Sequence, residues 1–151
     1  MDTKNADAIS LPGLLARAEI HLTTYLERTA GVSHERKGIR SSELFFFYAS
    51  VADIEPERII ESGRARAQST LVLASLFPRT TIVSIESDAA SPDVRIAAER
   101  VKHYGQVDCP FGASRRLPPS LPPSGHVLLT AGPEDFLWPT PDSPALPTGP
   151  P

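Results

Sequence analysis

Apolar residues recur at helical spacing through Leu14, Leu15, Ala18, Leu22, Tyr25 and Leu26, which predicts a first amphipathic helix. Ser10 is placed to cap it, Pro12 suits its first turn and Gly31 ends it. A second helix is predicted from about Ser41 to Ala52, with Leu44, Phe45, Phe47, Tyr48 and Val51 as its apolar face. Phenylalanines at 45, 46 and 47 cover more than one face, as a helix wedged between a sheet and another helix would require. Beyond Pro56 the pattern changes from periodic to continuous. Ile59-Ile60 and Ile82-Val83-Ser84-Ile85 are short β-branched runs, the mark of parallel strands covered on both faces. A helix starting at Gln68 and ending near Leu76 to Pro78 joins them. Another starts at Pro92-Asp93, with Ser91 as cap, turns Val94, Ala97, Ala98 and Val101 inward, and stops at Gly105. Val107 to Phe111 reads as a third strand, confined to a sheet edge because Pro110 has no N–H to donate. Val127 to Thr130 reads as a fourth.

Strands alternating with helices predict a parallel sheet with right-handed crossovers. Proline marks the limits of this pattern: 12 of the 16 prolines lie from residue 110 onward. Arg115 to Ser124 is a proline-rich connection without a full helix. The expectation is a Rossmann-like three-layer α/β/α domain over residues 10–136, incomplete at four strands and preceded by two helices. Residues 1–9 are expected to be disordered, and 137–151 to form a Pro-rich disordered tail. The fourth strand then presents an open edge, suited to a partner or to self-association.

Composition narrows the function. A length of 151 residues allows one domain at most, and 40% hydrophobic content is enough for a core. A net charge of −3 gives no reason to expect nucleic acid or an anionic membrane as partner. The single cysteine, Cys109, excludes an internal disulfide framework, and no Cys/His cluster has metal-site spacing. No apolar run approaches the roughly 20 residues that span a bilayer, and the polar start of the chain is unlike a signal peptide. A cytoplasmic location is expected.

The candidate chemistry lies between Arg58 and Thr70. The strand ends on Glu61, Gly63 permits a sharp turn, Ala65 and Ala67 allow close approach, and Gln68-Ser69-Thr70 open a helix. Free N–H groups at such a helix start suit a polar or anionic ligand, while Glu61 suits a positive charge. An ordinary β–α turn fits the same residues. A dinucleotide fingerprint does not, because Ala65 and Gln68 stand where G-x-G-x-x-G needs its second and third glycines. The second strand also ends on an acid, Glu86, 25 positions after Glu61. That is near the spacing at which an acid meets a ribose in nucleotide-binding folds. Gly112-Ala113-Ser114 closes the third strand at the same edge. His34, in the charged connection Ser33 to Gly38, reads as a solvated loop residue.

Taken in order, these motifs resemble those of class I S-adenosylmethionine-dependent methyltransferases, particularly the catechol O-methyltransferase-like branch, over about residues 40 to 135. The family's E-x-G-x-x-x-G-x-S stands here as Glu61 to Ser69, with Ala67 at the second glycine. The resemblance implies S-adenosylmethionine as cofactor, with Glu86 on the ribose hydroxyls and Gly112, Ala113 and Ser114 against the adenine. Glu61 would lie near the sulfonium, with Ser69 and helix N–H groups at the ligand's carboxylate.

Two positions depart from the family. Ala131 stands where an Asp commonly ends the fourth strand and binds a metal, and Glu134 replaces a nearby basic residue. No metal is therefore expected and no catalytic residue is assigned. The expected function is an S-adenosylmethionine-binding methyltransferase-like domain of doubtful activity, truncated after the fourth strand, with a small-molecule methyl acceptor if active. The alternative is a non-catalytic relic or protein-interaction module of the same half-fold.

Overall fold

A computed structural model of the chain describes residues 10–35, 39–112 and, for the backbone, 126–130. The element order is α1 (Leu11–Thr29), α2 (Ser41–Val51), β1 (Arg58–Ser62), α3 (Gln68–Leu76), β2 (Thr81–Ile85), α4 (Asp93–Val101), β3 (Val107–Asp108) and β4 (His126–Thr130). The expectations for residues 1–9, for Arg115 to Ser124 and for 137–151 lie outside the described residues.

Four strands form one sheet in the order β3-β2-β1-β4, and every pair is parallel. This is a Rossmann-like α/β arrangement, with β1 central and β3 at an edge as Pro110 requires. β3 is shorter than expected. The ladder is interrupted after Asp108 and resumes as a single bridge between Glu86 and Phe111, because Pro110 cannot donate between them.

Side chains alternate across the sheet. Ile59 and Ile82 face a cluster with Leu44, Tyr48, Val72, Leu73, Leu76 and Phe77. Complete burial of Ile59, Ile82 and Leu73 contributes about 1.5–3 kcal/mol each. α3 is buried all round except at Ser75, as its unbroken apolar run demands. α2 wedges aromatic rings between α1 and α3: Phe45 meets Tyr25 at 5.0 Å and Tyr48 meets Phe77 at 5.4 Å. Those rings pack in the core, as the wedged helix requires.

Two helix faces differ from the periodicity. In α1, Ala18 and Tyr25 are buried, but Leu15, Leu22 and Leu26 are 51%, 44% and 57% exposed. Among the described residues, α1 lies outside α2 and α3 and is covered along a narrow strip. Polar groups fix that strip: the Tyr25 hydroxyl donates to the Ser41 carbonyl at 2.9 Å, and Arg28 donates to Leu76, the last residue of α3, at 2.7 Å. In α4, Ala97 and Val101 pack on Ala67 and Leu71, while Ala98 is exposed. α4 also ends at Val101, one turn short of Gly105.

Candidate functional site

β1 ends at Ser62 and α3 begins at Gln68, so five residues must reverse the chain at the carboxyl edge of the sheet. Three of them adopt positive φ: Gly63 at 90°, Ala65 at 44° and Ala67 at 62°. For an alanine this conformation costs roughly 1–2 kcal/mol. Ala67 is offset by packing, because it is fully buried against Leu71, Ala97 and Val101. The turn is held by the next strand. Gly63 and Arg64 N–H groups both donate to the Ile85 carbonyl, at 3.0 and 3.1 Å. Ala67 N–H donates to the Arg64 carbonyl at 2.8 Å.

Glu61 lies beneath this turn and exposes none of its surface. Its register partner on β2 is Ser84, whose hydroxyl donates to Glu61 Oε2 at 2.6 Å. Thr70 Oγ1 donates to the same oxygen at 2.6 Å, and Ser69 Oγ donates to Oε1. Burial pushes the Glu61 pKa up, against the opposing pull of the three hydroxyls and the Arg64 cation. The residue expected near a ligand's charge is thus enclosed, and the Ser69 hydroxyl hydrogen is committed to it. In this structure the pair locks the start of α3 to β1.

Glu86 stands one residue beyond β2, half-buried at the rim. Its Oε2 accepts from Ala65 N–H at 2.9 Å, and its Oε1 from Asp88 N–H at 3.1 Å. Its backbone joins the third strand: Glu86 N–H donates to the Pro110 carbonyl at 3.2 Å, and Gly112 N–H donates back to the Glu86 carbonyl at 2.9 Å. The glycine turn, Glu86 and Gly112 therefore meet at one edge. A Cβ added to Gly112 would meet no heavy atom within 4 Å, and its φ of 147° favours glycine. Ala113, Ser114, Ala131 and Glu134 lie outside the described residues.

Sequence reasoning missed the cations around this edge. Arg64 is 3% exposed and donates to the Ser84 carbonyl at 2.5 Å. Arg100 of α4 donates to the Arg66 carbonyl at 2.8 Å and to Gln68 Oε1 at 2.9 Å, and pairs with Glu35 at 3.2 Å. This ties the connection after α1 to the glycine turn. The signal was present in Arg64 and Arg66, two cations in a tight turn whose acceptors had to be sought. His34 instead approaches Ser41 Oγ at 3.3 Å, away from the acids.

A cavity of about 450 Å³ lies at the opposite, amino edge, bounded by Arg28, Tyr48, Phe77 and Thr80. It contains none of the candidate residues. Among the described residues, no group of three His, Cys, Asp or Glu side chains is placed to hold a metal ion. No described helix is long and apolar enough to cross a membrane.

The chain is similar in structure to proteins described as O-methyltransferases. One from Klebsiella pneumoniae is 21% identical, with a TM-score of 0.44, over 62% of this chain and 44% of its own. The Bacillus cereus O-methyltransferase, solved in complex with SAH, is 17% identical, with a TM-score of 0.43, over 66% of this chain and 44% of its own. An SAH-bound methyltransferase from Podospora anserina is 21% identical, with a TM-score of 0.43, over 75% and 46%. The chain thus spans a little under half the length of these three structures. No family model matches the chain, and no curated protein does.

Proposed function

We propose that this chain binds S-adenosylmethionine as a methyltransferase-like domain, with Glu86 holding the ribose. The observation that carries this reading is the setting of the Glu86 carboxylate. An ionised carboxylate offers about four lone-pair sites. Backbone N–H groups of Ala65 and Asp88 engage one oxygen each, which orients the group and leaves acceptor capacity for a pair of hydroxyls. It stands beside the glycine turn, at the carboxyl edge where open α/β sheets bind ligands.

The residues present fit the rest of the ligand. The N–H groups of Gly63, Arg64, Ala65 and Ala67 donate to protein oxygens, so the ligand's carboxylate falls to the N–H groups of the first turn of α3. Gly112, followed by Ala113 and Ser114, is assigned to the adenine. Glu61 acts from inside, holding Ser69 and so the start of α3. The cofactor, when bound, supplies an electrophilic methyl group, and the chain's own part is to bind and align it. Metal-assisted transfer to catechol-like acceptors is not proposed, because Ala131 carries no carboxylate.

The test is calorimetry with S-adenosylhomocysteine. Wild type should bind. Glu86→Ala should bind about 10- to 150-fold more weakly, from the loss of roughly 1.5–3 kcal/mol in hydrogen bonds to a charged acceptor. Equal affinities would remove Glu86 from the site. No binding by wild type would leave the interaction-module reading in its place.

A further inference from the structure

The ladder between β2 and β3 has a fixed rhythm. Ile82 N–H donates to the Gln106 carbonyl at 2.9 Å, and Glu86 N–H to the Pro110 carbonyl at 3.2 Å. Gly112 N–H donates back to the Glu86 carbonyl at 2.9 Å. Parallel strands repeat this pattern every two residues, so the N–H of residue 110 should donate to the Ser84 carbonyl. Residue 110 is proline and has none. A buried carbonyl left without a donor is costly. Here the donor is a side chain: Arg64 Nη1 lies 2.5 Å from the Ser84 oxygen. Its guanidinium carbon stands 5.1 Å from the centre of the Phe111 ring, within cation–π range.

We propose that Arg64 is a positioning residue whose guanidinium replaces the missing N–H of Pro110, stacks on Phe111, and so fixes the segment Cys109 to Gly112 against β2. The same buried cation faces Glu61 and the Cys109 thiol, so its charge has partners on β1 and on the segment it holds. Gly112, next to Phe111, is the first of the three residues assigned to the adenine. The consequence for the ligand rests on that assignment, while the ladder itself does not.

The test is a double-mutant cycle. Pro110→Ala restores a backbone N–H, which makes the Arg64 donor redundant. Arg64→Met alone should speed amide hydrogen exchange of Gly112 by about tenfold or more, at unchanged exchange of Leu73 in the core. Arg64→Lys, which keeps a donor and a charge, should recover part of the protection. In the Pro110→Ala background, Arg64→Met should have much less effect. Equal effects in the two backgrounds, or Gly112 protection unchanged by Arg64→Met, would overturn the proposal. S-adenosylhomocysteine affinity should follow the same cycle, falling in Arg64→Met and returning in Arg64→Met/Pro110→Ala. If wild type does not bind that ligand, the functional assignment fails while Gly112 exchange still decides the role of Arg64.

Discussion

The ends of β1 and β2 begin alike and finish differently. Each strand runs through β-branched residues to a glutamate at the carboxyl edge, Glu61 on one and Glu86 on the next. Glu61 is sealed, and all of its donors are side-chain hydroxyls, from Ser69, Thr70 and Ser84. Glu86 is half-buried, and its donors are backbone N–H groups of Ala65 and Asp88, in the connections after β1 and β2. A strand-end acid becomes structural when the following helix and the neighbouring strand both place hydroxyls under it. It remains available to a ligand when only an open turn approaches. A carboxylate at the end of a strand is thus not by itself a binding group.

The largest test of this contrast is to delete each carboxylate. Glu61→Ala strands three buried hydroxyls and opens a cavity. With unmet groups costing about 1–3 kcal/mol each and partial re-pairing among them, a loss of about 3 kcal/mol is expected. Thermal unfolding should then fall by roughly 6–12 °C. Glu86→Ala removes two backbone hydrogen bonds at the rim and should cost about 1 kcal/mol, whatever its effect on ligand affinity. Comparable falls in melting temperature for the two variants would erase the distinction drawn here.

A second test uses pH. The folded protein raises the Glu61 pKa, chiefly by burial, so it binds the proton more tightly than the unfolded chain does. The stability from this group is complete below the ordinary carboxylate range and is lost as pH rises through the raised value. Glu61→Gln cannot ionise and should lack that loss. Urea unfolding of both proteins from acid to neutral pH should show the difference moving in favour of the glutamine variant as pH rises. A difference independent of pH would mean that Glu61 titrates alike in both states.

The smallest effect sharpens the picture of the turn between the two acids. Ala65 holds a φ of 44°, so Ala65→Gly should relieve strain and stabilise by up to about 1 kcal/mol. The same change at exposed Ala98 in α4 should destabilise by roughly 0.5–1 kcal/mol. Chemical denaturation gives both values, and opposite signs are expected.

Much of the fold was legible because it is encoded locally. Continuous β-branched runs marked β1 and β2, period-3.6 patterning marked the helices, Gly63 marked the turn, and Pro110 placed β3 at an edge. The same patterning overstated the buried face of α1, since Leu15, Leu22 and Leu26 satisfy the period whether or not anything covers them. At the site, the positions of Glu61, Glu86 and the glycine turn at one edge followed from strand order alone.

By itself, then, the amino-acid sequence determined which residues form strands and helices and which edge gathers the acids, because periodicity, turn chemistry and missing donors act over a few neighbouring positions. Tertiary structure decided what each polar group meets. Ser84 reaches Glu61 across 23 positions, Arg64 reaches Ser84 across 20, and Arg100 reaches Gln68 across 32. No local pattern specifies such partners. They follow from the parallel register of β1 on β2 and the packing of α4 beside α3, which place distant donors and acceptors within hydrogen-bond distance and shut water out of one carboxylate while leaving the other at the rim.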